Sequence, residues 1–150
     1  MESIEKHSTL RGASGIRWLD HIGIAVFDVD AALPYYVDRL GLRVVHDEIA
    51  ADPGVRLCYL DVGSLFLQLV QPLRRGPVQD FLESRGEGLH HVCFAVDDIG
   101  STLAHLDERE PARVFMGGRR RRACFLVDGP DGVLIELTET YARVPDLGAL

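Results

Sequence analysis

The stretch LHHVCFAV, residues 89–96, repeats the stretch LDHIGIAV, residues 19–26. Each copy places a histidine ahead of an apolar run with the length and composition of a buried strand. Aspartates follow both runs, and apolar residues at helical spacing come next, over residues 29–40 and 98–109. A repeat of this kind predicts two copies of one structural module.

Each copy continues with three short stretches typical of strands. The six predicted strands cover residues 42–49, 55–62, 64–71, 112–116, 122–127 and 133–139. Each half of the chain therefore has the order β-α-β-β-β. The predicted organisation is a first module at 17–72, a connector at 73–88, a second module at 89–140, and tails at 1–16 and 141–150.

The composition narrows the class of protein. Of 150 residues, 47% are hydrophobic and 26% are charged, which is typical of one globular unit or of two small modules that share a core. The net charge of −7 disfavours nucleic acid as a partner. No apolar run reaches the roughly 18 residues of a membrane span, and the polar N-terminus lacks a signal-peptide pattern, so we expect a cytoplasmic protein with no membrane partner. Three cysteines in apolar runs, Cys58, Cys93 and Cys124, are expected to be buried and reduced.

Four polar side chains occupy equivalent places in the two halves. His21 and His91 lie in the first strands, and Gln68 and Glu136 lie in the last strands. Because side chains at i and i+2 share one face of a strand, His21 shares an open face with the small Gly23. A glutamate in an apolar strand needs a partner. Two histidines, a carboxylate and an amide oxygen suit one divalent metal ion of borderline hardness, such as Co, Ni, Mn, Fe or Zn.

These features resemble the vicinal oxygen chelate superfamily of glyoxalases, extradiol dioxygenases and epimerases. Within it, the segments DHIGIAVFDVDAALPYYVDRLGLRVVHDE, QPL, FLESRGEGLHHVCFAVDDI, GGRR and GVLIELTE are similar to the methylmalonyl-CoA epimerase family. The resemblance covers residues 18–140. It implies an α+β fold in which paired βαβββ modules form a cup-shaped mixed sheet around one divalent metal ion, in a protein that forms homodimers.

The resemblance also implies the metal ligands, which are His21, Gln68, His91 and Glu136. His91 is chosen over His90 because His91, like His21, directly precedes the repeated apolar run. Strict alternation of side chains places His90 on the opposite face of the strand.

The resemblance is incomplete at the acid/base group. The epimerase family carries a glutamate in a pattern like GVRE, whereas this chain has GVRL, with Leu57 in the last position. A leucine cannot transfer a proton, and epimerisation requires one to be removed and replaced. The alternative acid/base groups are Glu48, Asp47, His46 and the metal ligand Glu136. The family's HPKS stretch before the last strand is also replaced, by DGPDG at residues 128–132.

Residues 117–122, GGRRRR, form the predicted substrate-binding segment. A run of arginines usually lies on a solvated hairpin. In the context of this family, Arg119 and Arg120 are expected to bind a phosphate of an acyl-CoA, because a guanidinium offers a phosphate several donors at once. Gly117 and Gly118 would allow the backbone to approach the ligand closely.

Three functions are consistent with the sequence. The first is a metal-dependent isomerase of the epimerase type, which stabilises an enolate of a metal-chelated small-molecule or acyl-CoA substrate. The second is another metal-dependent enzyme of the superfamily, such as a lyase, a dioxygenase, or a tailoring or cyclising enzyme of secondary metabolism, and the absence of the GVRE glutamate favours it. The third is a non-catalytic binding or resistance protein, which retention of all four ligands disfavours.

Overall fold

The computed structural model describes residues 9–107, 112–127 and 129–143, and strands predominate in them. The strands are β1 (Ile16–Ala25), β2 (Arg43–Ala50), β3 (Val55–Asp61), β4 (Phe66–Pro72), β5 (Gly88–Val96), β6 (Val114–Met116), β7 (Arg122–Phe125) and β8 (Ile135–Glu139). The helices are α1 (Val29–Pro34), α2 (Pro77–Arg85) and α3 (Ile99–Leu106). No helix within the described ranges combines the length and the hydropathy that crossing a membrane requires.

The strands form one curled sheet in the order β2-β3-β4-β1-β5-β8-β7-β6. The first strand of each module pairs in parallel with the last strand of the same module, β1 with β4 and β5 with β8. The two first strands pair antiparallel at the centre and so join the modules edge to edge. The predicted α+β fold, with paired βαβββ modules in a cup-shaped mixed sheet, is confirmed.

Helix α1 is shorter than the sequence predicts. Asp28 caps its N-terminus by accepting a hydrogen bond from the backbone N–H of Asp30 (2.9 Å). Helical spacing predicts one α-helix to residue 40, but the α-helix ends at Pro34 and a π-helical turn follows over Tyr35–Arg39. Proline has no N–H to donate, so the regular ladder is interrupted there and the chain continues in the wider turn.

Helix α3 begins as the repeat predicts and ends earlier. Asp98 caps it by accepting from the N–H of Ser101 (2.8 Å), as Asp28 caps α1. The helix ends at Leu106, with Asp107 in the left-handed conformation after it. The predicted continuation over residues 108–109 lies outside the described residues.

Helices α1 and α3 cover one face of the sheet with bulky apolar side chains. Val29 of α1 packs with Val26, Leu60 and Leu69, and Ile99 of α3 packs with Leu137. The three cysteines are buried, and none of them forms a disulfide within the described residues, as predicted. The opposite face is the inside of the cup, where Val78 of α2 packs against Leu57 and Val70, and the predicted site residues lie on it.

Candidate metal centre and acid/base groups

Two histidines and a glutamate meet inside the cup, one from each of three adjacent strands. His21 lies in β1, His91 in β5 and Glu136 in β8, and all three are buried. The Nε2 atoms of the two histidines are 3.1 Å apart, and Oε1 of Glu136 lies 3.3 Å from His21 Nε2 and 3.9 Å from His91 Nε2. Ligand atoms bound to one metal at 2.0–2.1 Å are separated by about 3.0–3.4 Å. Two of the three separations lie in this range and the third is longer, so the three groups are close enough to hold one divalent metal ion, as the sequence predicts.

Gln68 lies in the same row of the sheet. It pairs in register with Gly23, and Gly23 pairs in register with His91. The Nε2 group of Gln68 donates a hydrogen bond to the hydroxyl of Tyr59 (2.8 Å). The donor end of the amide is thereby held by the protein, and the amide oxygen is the atom that remains for a metal. Its role as the fourth ligand stays a prediction.

The ring of His91 occupies the space that a side chain at position 23 would fill. A Cβ built on Gly23 would lie 2.1 Å from Cε1 of His91 and 2.4 Å from its Nδ1. Real Cβ atoms do not approach a ring carbon so closely. The position of His91 therefore requires a glycine at position 23. The sequence alone indicates only that Gly23 is a small residue on the open face.

Asp20 orients His21 from the protein side. Nδ1–H of His21 donates to Oδ2 of Asp20 (2.6 Å), which leaves Nε2 facing His91 and Glu136. Burial of Asp20 disfavours its charged form, but His21 and the guanidinium of Arg119 outweigh this and lower the pKa of the carboxyl. A buried carboxylate behind a histidine fixes its tautomer and makes it a stronger metal ligand. Asp20 is not among the site residues that the sequence pattern predicts, although it directly precedes His21.

Charges within the cluster favour an ionised carboxylate beside the neutral ring of His91, whereas the carboxylates of Asp20 and Glu136 outweigh burial and raise the pKa of His21. Burial disfavours ionisation of Glu136, but His91 and His21 outweigh burial and lower the pKa of its carboxyl. Burial lowers the pKa of His91 to about 3, so this ring is neutral at neutral pH and keeps a lone pair. An anionic oxygen and imidazole lone pairs are the donors that borderline divalent ions prefer.

His90 does not lie where strict alternation of side chains predicts it, on the opposite face of the strand from His91. Its Nδ1 atom is 2.8 Å from Nδ1 of His91, so the two rings are neighbours and not on opposite faces. The pairing of β1 with β5 is irregular here, since Gly23 pairs with His91 and Ile24 pairs with Leu89, which leaves His90 without an opposite residue. Such a bulge redirects a side chain.

Glu48 is the predicted acid/base group nearest to the position of the missing glutamate. It pairs in register with Leu57 across β2 and β3. Nε2 of His46 lies 3.2 Å from Oε1 of Glu48. Asp47 instead forms two hydrogen bonds with Arg56, at 2.8 and 3.1 Å, which occupy both of its oxygens. The structure therefore favours Glu48, with His46 beside it, over Asp47.

The segment 117–120 folds into the cup as a tight turn. A Cβ on Gly118 would lie 2.0 Å from the hydroxyl of Tyr59 and 3.0 Å from both Oε1 of Glu48 and Cδ1 of Leu57. The backbone N–H of Arg119 donates to Oε1 of Glu48. Only a glycine at position 118 lets the turn pack this closely against Tyr59, Glu48 and Leu57. The turn separates Glu48 from the metal-ligand cluster.

Arg119 is held inside the cup, whereas Arg120 is exposed. The guanidinium of Arg119 pairs with Asp20 and lies over the rings of Tyr59 (4.9 Å) and Phe66 (5.3 Å). Arg119 therefore links the turn to the carboxylate that orients His21. A phosphate-binding role for Arg119 and Arg120 stays a prediction, and in this conformation only Arg120 is open to solvent.

A small cavity of about 80 Å³ opens at the cluster, and Glu48 is not among the residues that line it. Its polar lining includes Gln68, His91 and Glu136, and its apolar lining includes Leu57 and Phe125. Gly117 and Gly118 form part of its wall. This combination of a few convergent polar groups and apolar walls is typical of a small-molecule site.

Removing Arg119 should destabilise the protein markedly. Arg119→Ala breaks a pair with a carboxylate that is 2% exposed, and the loss of one partner of a buried pair costs about 3–5 kcal/mol. The matched control is Arg113→Ala, because Arg113 pairs with Asp52 at the surface, where both side chains are at least 70% exposed. That change should cost less than about 1 kcal/mol. Urea unfolding measures both, and equal losses would contradict a buried role for Arg119.

Comparison with known proteins agrees with this geometry. Residues 20–138 match the Glyoxalase/Bleomycin resistance protein/Dioxygenase superfamily. The chain is 35% identical to an uncharacterized protein of Bacillus subtilis, over 81% of this chain and 91% of that protein. It is 30% identical to the mitochondrial methylmalonyl-CoA epimerase of Homo sapiens, over 81% of this chain and 73% of that protein.

Solved structures of epimerases have the same fold. The methylmalonyl-CoA epimerase of Mycobacterium tuberculosis is 34% identical and superimposes with a TM-score of 0.77, over 94% of this chain and 97% of that chain. A single-substitution variant of the Streptomyces coelicolor methylmalonyl-CoA epimerase, in complex with 2-nitronate-propionyl-CoA, is 34% identical and superimposes with a TM-score of 0.73, over 83% of this chain and 97% of that chain. Members of this superfamily bind a divalent metal ion. The chain belongs to this superfamily, the vicinal oxygen chelate proteins, and is similar to their methylmalonyl-CoA epimerases.

Proposed function

We propose that the protein is a divalent-metal-dependent isomerase that acts on a 2-alkylmalonyl-CoA. It removes the proton from the α carbon, which lies between the carboxylate and the thioester carbonyl, and then returns a proton to that carbon. The observation that carries the proposal is the convergence of His21, His91 and Glu136 on the inner face of the cup, beside a cavity walled by Leu57. Similarity to enzymes named methylmalonyl-CoA epimerase supports the substrate class.

The residues divide into holding and proton-transferring groups. His21, His91, Glu136 and the amide oxygen of Gln68 would hold the metal, with Asp20 fixing the orientation of His21. When bound, the metal supplies Lewis-acid stabilisation of the negative charge that develops on the substrate's oxygens. The apolar walls of the cavity exclude water from the reacting carbon.

Epimerisation needs a proton acceptor on one face of the α carbon and a proton donor on the other. We assign these roles to two carboxylates, Glu136 at the metal-binding end and Glu48 beside Leu57. His46, 3.2 Å from Glu48, is placed to share the proton that Glu48 takes up. Glu48 and Glu136, one from each module, together provide the proton transfer for which the family uses the glutamate that this chain lacks at position 57.

Glu48 reaches the substrate only when the 117–120 turn leaves its position. Gly118 packs against both Glu48 and Leu57, so its backbone occupies the path between Glu48 and the cavity. Arg119 and Arg120 both adopt positive φ, 56° and 59°, a conformation that costs non-glycine residues free energy. The contacts of Arg119 with Asp20 and Glu48 help to hold the turn in this conformation, together with the backbone hydrogen bond from the N–H of Arg143 to the carbonyl of Arg120 (2.7 Å).

A second function is favoured by one observation. Leu57 stands where the family has its acid/base glutamate, and it makes that wall of the cavity apolar. An enzyme that uses the same metal centre without a second proton-transfer group, such as a lyase or a dioxygenase, would have no need of Glu48.

Hydrogen exchange at the α carbon distinguishes these functions. Protein loaded with cobalt, given methylmalonyl-CoA in deuterated water, should incorporate deuterium at the α carbon at least about 100-fold faster than the His91→Ala variant. Mass spectrometry follows the incorporation, with the protein-free rate subtracted. His105→Ala, which changes an exposed histidine of α3, is the matched control and should exchange at the wild-type rate. Metal binding without exchange would overturn the isomerase proposal and favour the second function.

A further inference from the structure

Two of the three irregularities in the pairing of β1 with β5 are equivalent, one in each module. In β1, Leu19 pairs with Phe94 and His21 pairs with Cys93, so Asp20 has no opposite residue. In β5, the residue left without an opposite partner is His90. The residue directly before each histidine of the cluster is therefore the bulged one, in both copies of the repeat.

A bulge lets two consecutive side chains reach the same region, which a regular strand does not. In β1 the result is the hydrogen bond from Nδ1 of His21 to Asp20. In β5 the result is the contact of 2.8 Å between the Nδ1 atoms of His91 and His90. Both cluster histidines thus have their outer nitrogen occupied by the residue that precedes them.

The surroundings of His90 allow its Nδ1 to accept a hydrogen bond. Its ring packs edge-on against Phe81, with centroids 4.9 Å apart, and lies 6.5 Å from the ring of Phe125. A neutral imidazole protonated at Nε2 has an acceptor lone pair at Nδ1.

We propose that His90 is a positioning residue that accepts a hydrogen bond from Nδ1–H of His91 and so fixes the tautomer whose Nε2 faces His21 and Glu136. His90 thereby does in the second module what Asp20 does in the first. The inference rests on the proposed metal centre for its effect on metal affinity, but the tautomer of His91 can be measured without metal. The two orienting groups differ in charge, so His21 is the more basic ligand and His91 the less basic one.

Two substitutions separate hydrogen bonding from packing. His90→Phe keeps an aromatic ring against Phe81 but has no acceptor. His90→Asn gives up the ring, yet its amide oxygen is as many bonds from Cα as Nδ1 is and can accept from His91. His105→Phe is the matched control for replacing a histidine by phenylalanine, at an exposed position.

The experiment combines two measurements on the full chain. Long-range ¹H–¹⁵N correlation spectra of the metal-free protein should show His91 protonated at Nδ1 in the wild type and in His90→Asn, and a mixture of tautomers in His90→Phe. Competition with a chelator should show cobalt affinity reduced about 10–100-fold in His90→Phe and close to the wild type in His90→Asn and His105→Phe.

Either measurement can overturn the inference. Wild-type His91 protonated at Nε2 in the metal-free protein would do so without any variant, even if His90→Phe failed to fold. Equal cobalt affinity in His90→Phe and the wild type would show that the ring of His90 only packs. If the tautomer follows the prediction but cobalt does not bind the wild type, the metal centre fails and the hydrogen bond stands.

Discussion

Glu48→Gln is expected to lower metal-dependent exchange of the α proton by about 10²–10⁴-fold, the usual contribution of a general acid or base. The amide keeps the size of the side chain and an oxygen for the N–H of Arg119, but it cannot take up a proton. Cobalt affinity should be unchanged, because Glu48 is separated from the metal-ligand cluster by the 117–120 turn. Mass spectrometry of deuterium incorporation measures the rate, and chelator competition measures the affinity.

A second substitution tests whether Glu48 replaces the missing glutamate. Leu57 pairs in register with Glu48, so Leu57→Glu places a carboxylate on the neighbouring strand at the same level of the cup. Added to Glu48→Gln, it should restore a substantial part of the lost exchange rate. Glu83→Gln, at an exposed position of α2, is the matched control and should leave the rate unchanged. Undiminished exchange in Glu48→Gln would exclude Glu48 and assign proton transfer to Glu136 alone.

The fold could be predicted because the sequence repeats itself. A histidine-strand-helix pattern followed by three strand-like stretches defines the module, and its two copies give the number of modules. Within each copy, the side chains alternate between the two faces of each strand. Where the prediction fails, a local backbone effect is responsible. Pro34 ends the α-helical ladder of α1 although the apolar spacing continues beyond it, because spacing reports which face is buried and not whether every N–H has a partner.

Part of the candidate site could be predicted in the same way. His21, His91 and Glu136 occupy equivalent places in the repeat, and the structure brings them within 4 Å of one another. Asp20 and His90 could not be assigned by alternation, since a bulge shifts the side chains that follow it and leaves no mark in the apolar pattern. A signal was nevertheless present, because polar residues precede the histidine in both copies.

The turn at 117–120 shows a different limit. A run of four arginines is usually solvated, and nothing in its composition indicates that Arg119 is buried. Its position depends on Asp20, Tyr59 and Phe66, which lie far away in the sequence and supply a carboxylate and two ring faces. Such a contact becomes visible only when the topology that joins the two modules is known.

Gly23→Ala is expected to lower the affinity for the metal ion strongly while leaving strand β1 intact. The backbone of Gly23 has no positive φ, so alanine fits the strand conformation. Its Cβ, however, would lie 2.1 Å from Cε1 of His91, and the ring must leave its place next to His21 and Glu136. Displacing a ligand should cost more than losing an orienting partner, so we expect cobalt affinity to fall by at least about 100-fold.

Unfolding with and without cobalt measures this effect directly. At a cobalt concentration about 100-fold above the dissociation constant, the wild type should gain about 2.7 kcal/mol of stability, and Gly23→Ala should gain almost none. Gly12→Ala is the matched control, because a Cβ there meets nothing within 4 Å, and it should gain as much as the wild type. If Gly23→Ala retained the full gain, His91 would not be a ligand, and its ring would lie over Gly23 only as packing. A loss confined to Gly23→Ala would instead mean that the glycine in the first copy of the repeat exists to make room for the histidine of the second.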